Sequence, residues 1–158
     1  MALNYPATVP DIPVLQIPAL QLDEGLPVPS QARQGDAGLD LVARSDVVLA
    51  PGGGRALVPT GLALELPPGY AGLVLPRSGL ALRHGVTCLN APGLIDPGYR
   101  GEVGVILVNT DPAEPYEVHR GDRVAQLLVV RFETARFVSS AALGASERGD
   151  GGFGHTGR

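Results

Sequence analysis

The sequence predicts an all-β domain, a barrel or a sandwich, with one short helix. Three observations lead there. Short apolar runs recur along the chain with turns between them, such as P-G-G-G at 51–54 and P-P-G at 67–69. No segment holds a helical period long enough for a helix-built fold. Only one stretch, 76–85, carries both a helix start and a helix stop.

The 158 residues suffice for one domain with a real core. No apolar run is long enough to span a bilayer. The start, M-A-L-N-Y-P-A-T-V-P, lacks the basic and apolar regions of a secretory signal, so a cytoplasmic location is expected. A single cysteine, Cys88, excludes an internal disulfide and a cysteine-cluster zinc site. His84, His119 and His155 show no metal-ligand spacing. All 12 basic residues are arginine. Without lysine there is no Walker-type phosphate loop, and phosphate contacts must come from arginine forks. A net charge of −4 and 4% aromatic residues argue against a general nucleic-acid binder. A small anionic ligand held by a few arginines stays open.

Taken in order, residues 1–13 carry Pro6, Pro10 and Pro13 and read as an extended arm. Val14 to Ile17 is a candidate first strand, and Leu22 to Gln34, broken by Pro27 and Pro29, reads as loop. In G-D-A-G-L-D-L at 35–41, Leu39, Leu41 and Ala43 alternate with Asp40 and Val42, a short strand. Asp36 and Asp40 then form a pair on one face, either a seat for a hydrated divalent cation or two solvated carboxylates. Val47 to Ala50 is a strand, Arg55 to Leu66 reads as two short strands around Thr60-Gly61, and Tyr70 to Leu75 is another. In P-R-S-G-L-A-L-R-H-G at 76–85, Ser78 suits an N-cap and Gly85 a C-terminal stop. Arg77 and Ser78 at that helix start suit a phosphate.

The central stretch, N-A-P-G-L-I-D-P-G-Y-R-G-E at 90–102, lies between strand-like runs at 85–90 and 103–109. It reads as a hairpin with a broad, rigid tip that presents Asp96 between Ile95 and Pro97. That is how a fold displays a general base, and it is also how an ordinary turn aspartate looks. Residues 110–117 read as loop, Arg120-Gly121-Asp122 as a turn and Val124 to Phe132 as a long apolar strand. Gln126 on that strand either bonds backbone or faces a ligand. From Gly144 to Arg158 glycine is too dense for strand or helix. This tail is either disordered or an arm that closes over a ligand, stacking Phe153 on a base.

Five stretches, D-A-G-L-D-L, P-R-S-G-L-A, N-A-P-G-L-I-D-P-G-Y-R-G-E, R-G-D-R-V-A-Q-L and R-G-D-G-G-F-G-H-T-G, stand in one order. Together they resemble the five motifs of the homotrimeric deoxyuridine triphosphatases (dUTPases). The likeness runs from about Val14 to Gly157 and leaves residues 1–13 outside it. It departs at Leu39, Pro97 and His155 without removing a functional group.

The resemblance implies a distorted jelly-roll-like barrel (β-clip) spanning 14–143, a glycine-rich arm at 144–158, and a homotrimer that exchanges that arm. It implies a dUTP diphosphatase that makes dUMP and pyrophosphate with Mg2+, limits uracil incorporation into DNA and supplies dUMP for dTMP synthesis. Asp96 would deprotonate a water for attack on the α-phosphorus. Asp40 would hold Mg2+ through its water shell. Arg77, Ser78, Gly79 and Gln126 would bind phosphates. Asn90 and main chain at Ile95 would read the uracil edge, and Tyr99 would lie on the deoxyribose. Arg148 and Thr156 would reach the γ-phosphate, with Phe153 over the uracil and Gly154 beside it in the substrate set. The sites would lie between subunits. Two rivals remain, a dCTP deaminase of the same fold and a non-catalytic nucleotide-binding trimer. Deaminases need a glutamate base and lack the phenylalanine-bearing arm.

Overall fold

The computed structural model describes residues 13–147 and 149–150. Turn residues cut the chain into β1 (Ala19–Gln21), β2 (Leu39–Val42), β3 (Val47–Leu49), β4 (Gly54–Leu64), β5 (Tyr70–Leu75), α1 (Ser78–His84), β6 (Val86–Cys88), β7 (Gly93–Ile95), β8 (Glu102–Asn109), β9 (Tyr116–Val118) and β10 (Arg123–Arg131). One sheet runs β1-β4-β8-β6, a second β2-β10-β5-β7, and β3 pairs with β9. Every pairing between these strands is antiparallel. Side chains from both four-stranded sheets share one buried cluster, including Val58, Leu107 and Val86 from the first and Leu41, Val74 and Leu127 from the second. This is the all-β architecture that the strand spacing predicts, in the jelly-roll-like form that the family resemblance implies.

Several elements differ from the sequence reading. The first strand is Ala19–Gln21, not Val14 to Ile17. Pro18 still accepts from the Glu65 N–H at 2.9 Å, but its ring removes a ladder donor and the strand begins after it. Arg55 to Leu66 is not two strands: β4 runs unbroken to Leu64 with a register shift between Pro59 and Ala63. Tyr116 and Glu117, read as loop, belong to β9 and pair with Leu49 and Val48. Ser78 is the first helical residue and not the cap; Arg77 holds the cap position and no side chain caps it. At the other end, Gly85 adopts the left-handed conformation (φ 62°) and its N–H bonds Ala81 O, the expected stop. Asp36 and Asp40 do not act as a pair. Asp36 lies outside β2 and accepts a hydrogen bond from the Arg33 N–H at 3.0 Å.

The irregularity in β4 has a specific clasp. Gly61 takes φ 71°, which favours glycine. Its N–H donates to Glu102 Oε1 at 2.7 Å, and the Thr60 hydroxyl donates to Val103 O at 2.6 Å. Arg44 Nη1 lies 3.3 Å from Glu102 Oε2, and Arg44 Nη2 donates to Leu22 O at 3.1 Å. Glu102 therefore ties the bulge to the foot of β8, just past the central stretch. Glu102→Ala leaves a buried N–H without a partner and should cost about 1–3 kcal/mol. Thermal or urea unfolding checks this; an unchanged melting profile would remove Glu102 from the clasp.

Asn109, wholly buried, is satisfied on every side. Its amide donates to Leu49 O and Glu114 O, and its Oδ1 accepts from the Asp111 N–H. Cys88 is buried, and burial pushes its thiol up to about 11. It is a packed core residue, not a nucleophile. Beyond Arg131 the chain carries no strand or helix through residue 147 and stays exposed, with Phe137 99%, Val138 82% and Leu143 93% accessible.

Candidate active site

The second sheet draws three separate motifs together because β10 lies between β2 and β5. Gln126 pairs with Asp40 on one side and with Leu75 on the other, one row across three strands. Arg77 follows β5 by two residues at the start of α1. The Gln126 amide donates to Pro76 O at 3.0 Å, fixing the turn that carries Arg77. One side of the Gln126 amide thus bonds backbone. A Cβ on Gly38 would stand 2.6 Å from Gln126 Oε1, so only glycine leaves that oxygen its place.

Asp40 and the arginines form an ionic knot. Arg123 Nη1 donates to Asp40 Oδ2 at 3.1 Å, and Arg77 Nε lies 3.9 Å from Asp40 Oδ1. Arg77 Nη1 donates to the Arg123 carbonyl at 2.5 Å. Ser78 is exposed, and Gly79 is covered by the guanidinium of Arg83 from one turn on.

The central stretch forms a second group. Its tip is not a plain hairpin turn. β6 and β8 do pair, as expected, but β7 between them crosses to the other sheet and joins β5. Asp96 follows β7 directly, so its stiffness comes from a strand. Main-chain and side-chain bonds complete the mount. The Tyr99 N–H donates to Asp96 O at 3.0 Å, and the Tyr99 hydroxyl donates to Glu102 O at 2.9 Å. Arg100 Nη1 donates to Pro97 O and Tyr99 O, while Nη2 reaches Glu65 at 3.0 Å. Asp96 is exposed and lines an open cleft of about 210 Å3 with Leu94, Ile95, Tyr99, Val103 and Gly104. Asn90 is exposed, its amide packed beside Gly93.

The two groups take different levels on β5. Gln126 pairs at Leu75 and Ile95 at Gly72, three residues apart on β5. At about 3.3 Å per residue that separates the levels by about 10 Å along the strand. One end holds arginines around the Asp40 carboxylate; the other holds the exposed Asp96 carboxylate beside a cleft. Arg148, Phe153, Gly154 and Thr156 lie outside the described residues. Two arginines received no role in the sequence reading, Arg123 and Arg100, although both stand inside quoted motifs, R-G-D-R-V-A-Q-L and N-A-P-G-L-I-D-P-G-Y-R-G-E.

A family model described as dUTPase matches residues 24–157. The chain belongs to the dUTPase family. It is 59% identical over 137 residues to a deoxyuridine 5'-triphosphate nucleotidohydrolase of Thermobifida fusca, covering 87% of this chain and 76% of that protein. It is 56% identical over 143 residues to the enzyme of the same name from Mycobacterium tuberculosis, covering 87% and 92%. Its fold superposes on Staphylococcus bacteriophage 80alpha dUTPase with dUPNHPP at a TM-score of 0.83 and 26% identity, over 92% of this chain and 100% of that one. A phage phi11 dUTPase mutant, TM-score 0.74 and 25% identical over 83% of this chain and 100% of that one, is described with a structural Mg(II) ion.

The described residues of the dUTPase chain offer Mg2+ no ready-made cage. Among the described residues no group of three or more His, Cys, Asp or Glu side chains converges. Asp40 is a single, partly exposed carboxylate already facing two guanidinium groups. That donor set fits an ion that keeps most of its water and arrives on substrate phosphates. Among the described residues of this dUTPase, no helix is long and apolar enough to cross a membrane.

Proposed function

We propose that Asp96 is the general base of a dUTP-hydrolysing site that neighbouring copies of this chain complete. As a dUTPase the protein hydrolyses dUTP to dUMP and pyrophosphate. The observation that carries the assignment is the mount of Asp96: an exposed carboxylate at the end of a paired strand, beside an open cleft, with its turn held by Tyr99 and Arg100. Such a carboxylate can hold a water in line with the α-phosphorus and take its proton as the oxygen attacks. The bond to the bridging oxygen then breaks and pyrophosphate leaves.

In this reading Arg77, Ser78 and Gly79 hold phosphate oxygens, with Gln126 fixing the turn beneath them. Asn90 and main chain at Ile95 read uracil, and Tyr99 packs on the sugar. Cytosine presents opposite donors and acceptors at position 4, and each mismatch would leave a buried group unpaired, costing on the order of 1–3 kcal/mol. Arg148, Phe153, Gly154 and Thr156 close over the nucleotide. Asp40 would hold Mg2+ through water, and the ion would supply neutralisation of charge on the leaving pyrophosphate.

The rows of Gln126 and Ile95, about 10 Å apart along β5, support a homotrimer with sites between subunits. The exposed apolar stretch from Phe132 to Leu143 supports the same reading, since it needs a surface to cover it. We place the enzyme in the cytoplasm, where it limits uracil incorporation into DNA and supplies dUMP for dTMP synthesis. The test is product analysis with dUTP and dCTP side by side. Pyrophosphate from dUTP and nothing from dCTP is expected; ammonia from dCTP would overturn the reading.

A further inference from the structure

We infer that Arg123 is a positioning residue of this site, one that keeps Arg77 free for phosphate by holding Asp40 itself. The inference rests on the phosphate-binding role given to Arg77 above.

It begins with strand register. Gln126 faces Asp40, and Ala125 faces Leu41. Unbroken pairing would set Arg123 opposite Ala43, on the other face of the sheet from Asp40. The register instead shifts between Arg123 and Ala125, so that Arg123 faces Val42. That single bulge turns the Arg123 side chain onto the Asp40 face. Bulges re-aim side chains, and here the side chain re-aimed is the one that reaches the carboxylate.

The distances then rank the contacts. Arg123 Nη1 makes a hydrogen bond to Asp40 Oδ2 at 3.1 Å, whereas Arg77 stands off at 3.9 Å. Arg77 is held elsewhere, by its hydrogen bond to the Arg123 carbonyl. One residue thus contributes its guanidinium to the acid and its carbonyl to the other arginine. Asp40 is satisfied without drawing Arg77 fully onto itself. Without the Arg123 guanidinium, Asp40 would turn to Arg77, the remaining cation beside it, and compete with substrate phosphate for it.

The test uses the full-length chain and binding of a non-hydrolysable dUTP analogue in the presence of EDTA, beside steady-state kinetics with Mg2+. Arg123→Met should weaken analogue binding roughly fivefold or more and raise KM more than it lowers kcat. Arg123→Lys should recover part of the loss. In an Asp40→Asn background the same Arg123→Met change should alter analogue binding less than about twofold, because the competitor is gone. The Arg123 side chain is 54% exposed, so the variants should fold, and matching melting profiles check it. Binding within about twofold of the parent for Arg123→Met, or an equal loss in both backgrounds, would overturn the inference. A parent protein that fails to bind the analogue would overturn the site assignment as well, a result distinct from either.

Discussion

Asp96→Asn should bind a non-hydrolysable dUTP analogue with near-parent affinity and turn dUTP over roughly 10²–10⁴-fold more slowly. The amide matches the carboxylate in shape, so the loss isolates its basicity. The surroundings favour a clean result. Asp96 is exposed, and its turn is fixed through main-chain atoms and Arg100, none of which depend on the Asp96 side chain. β7 keeps its pairing with β5 whatever stands at position 96. Analogue binding by calorimetry and single-turnover hydrolysis separate the two effects. A mutant as fast as the parent would refute the base assignment.

Truncation after Gly144 should leave a folded, assembled protein with hydrolysis impaired on the order of 10²-fold. All ten strands, the helix and the buried cluster lie before residue 132, so the core loses nothing. Phe137, Val138 and Leu143 remain to cover a neighbour. What disappears is the segment proposed to close over the nucleotide. Within the described residues the cleft at Asp96 is open, and Tyr99 is 46% exposed. A reacting phosphate there would stay in contact with bulk water, which weakens every charge interaction around it. Size-exclusion chromatography and steady-state kinetics on the shortened chain give the two readouts. Full activity would mean that the arm has no catalytic part.

Much of the scaffold was legible from local chemistry. Gly and Pro clusters marked the turns, alternation marked β2, and apolar runs marked β5, β8 and β10, because strand period and turn conformation are written residue by residue. The misreadings share one cause. The first strand moved to Ala19–Gln21, β4 stayed whole through Gly61, and Tyr116-Glu117 became strand, each through a partner far away in sequence. Gly61 looked like a break because its partner is the side chain of Glu102, 41 residues on. Ser78 lost its cap role because Arg77 occupies that position.

The amino-acid order by itself determined the all-β class, the order of the five motifs and the identity of the carboxylate at 96, since these rest on residue type and spacing. Only the folded chain decided that β7 leaves its hairpin to brace Asp96 from the other sheet. Only it set the rows of Gln126 and Ile95 about 10 Å apart on β5, and turned Arg123 toward Asp40. A ladder of hydrogen bonds is a choice between strands, and a one-residue slip within it reverses which face a side chain takes. That choice is made by the competition of all the strands for one core, which no single stretch of sequence contains.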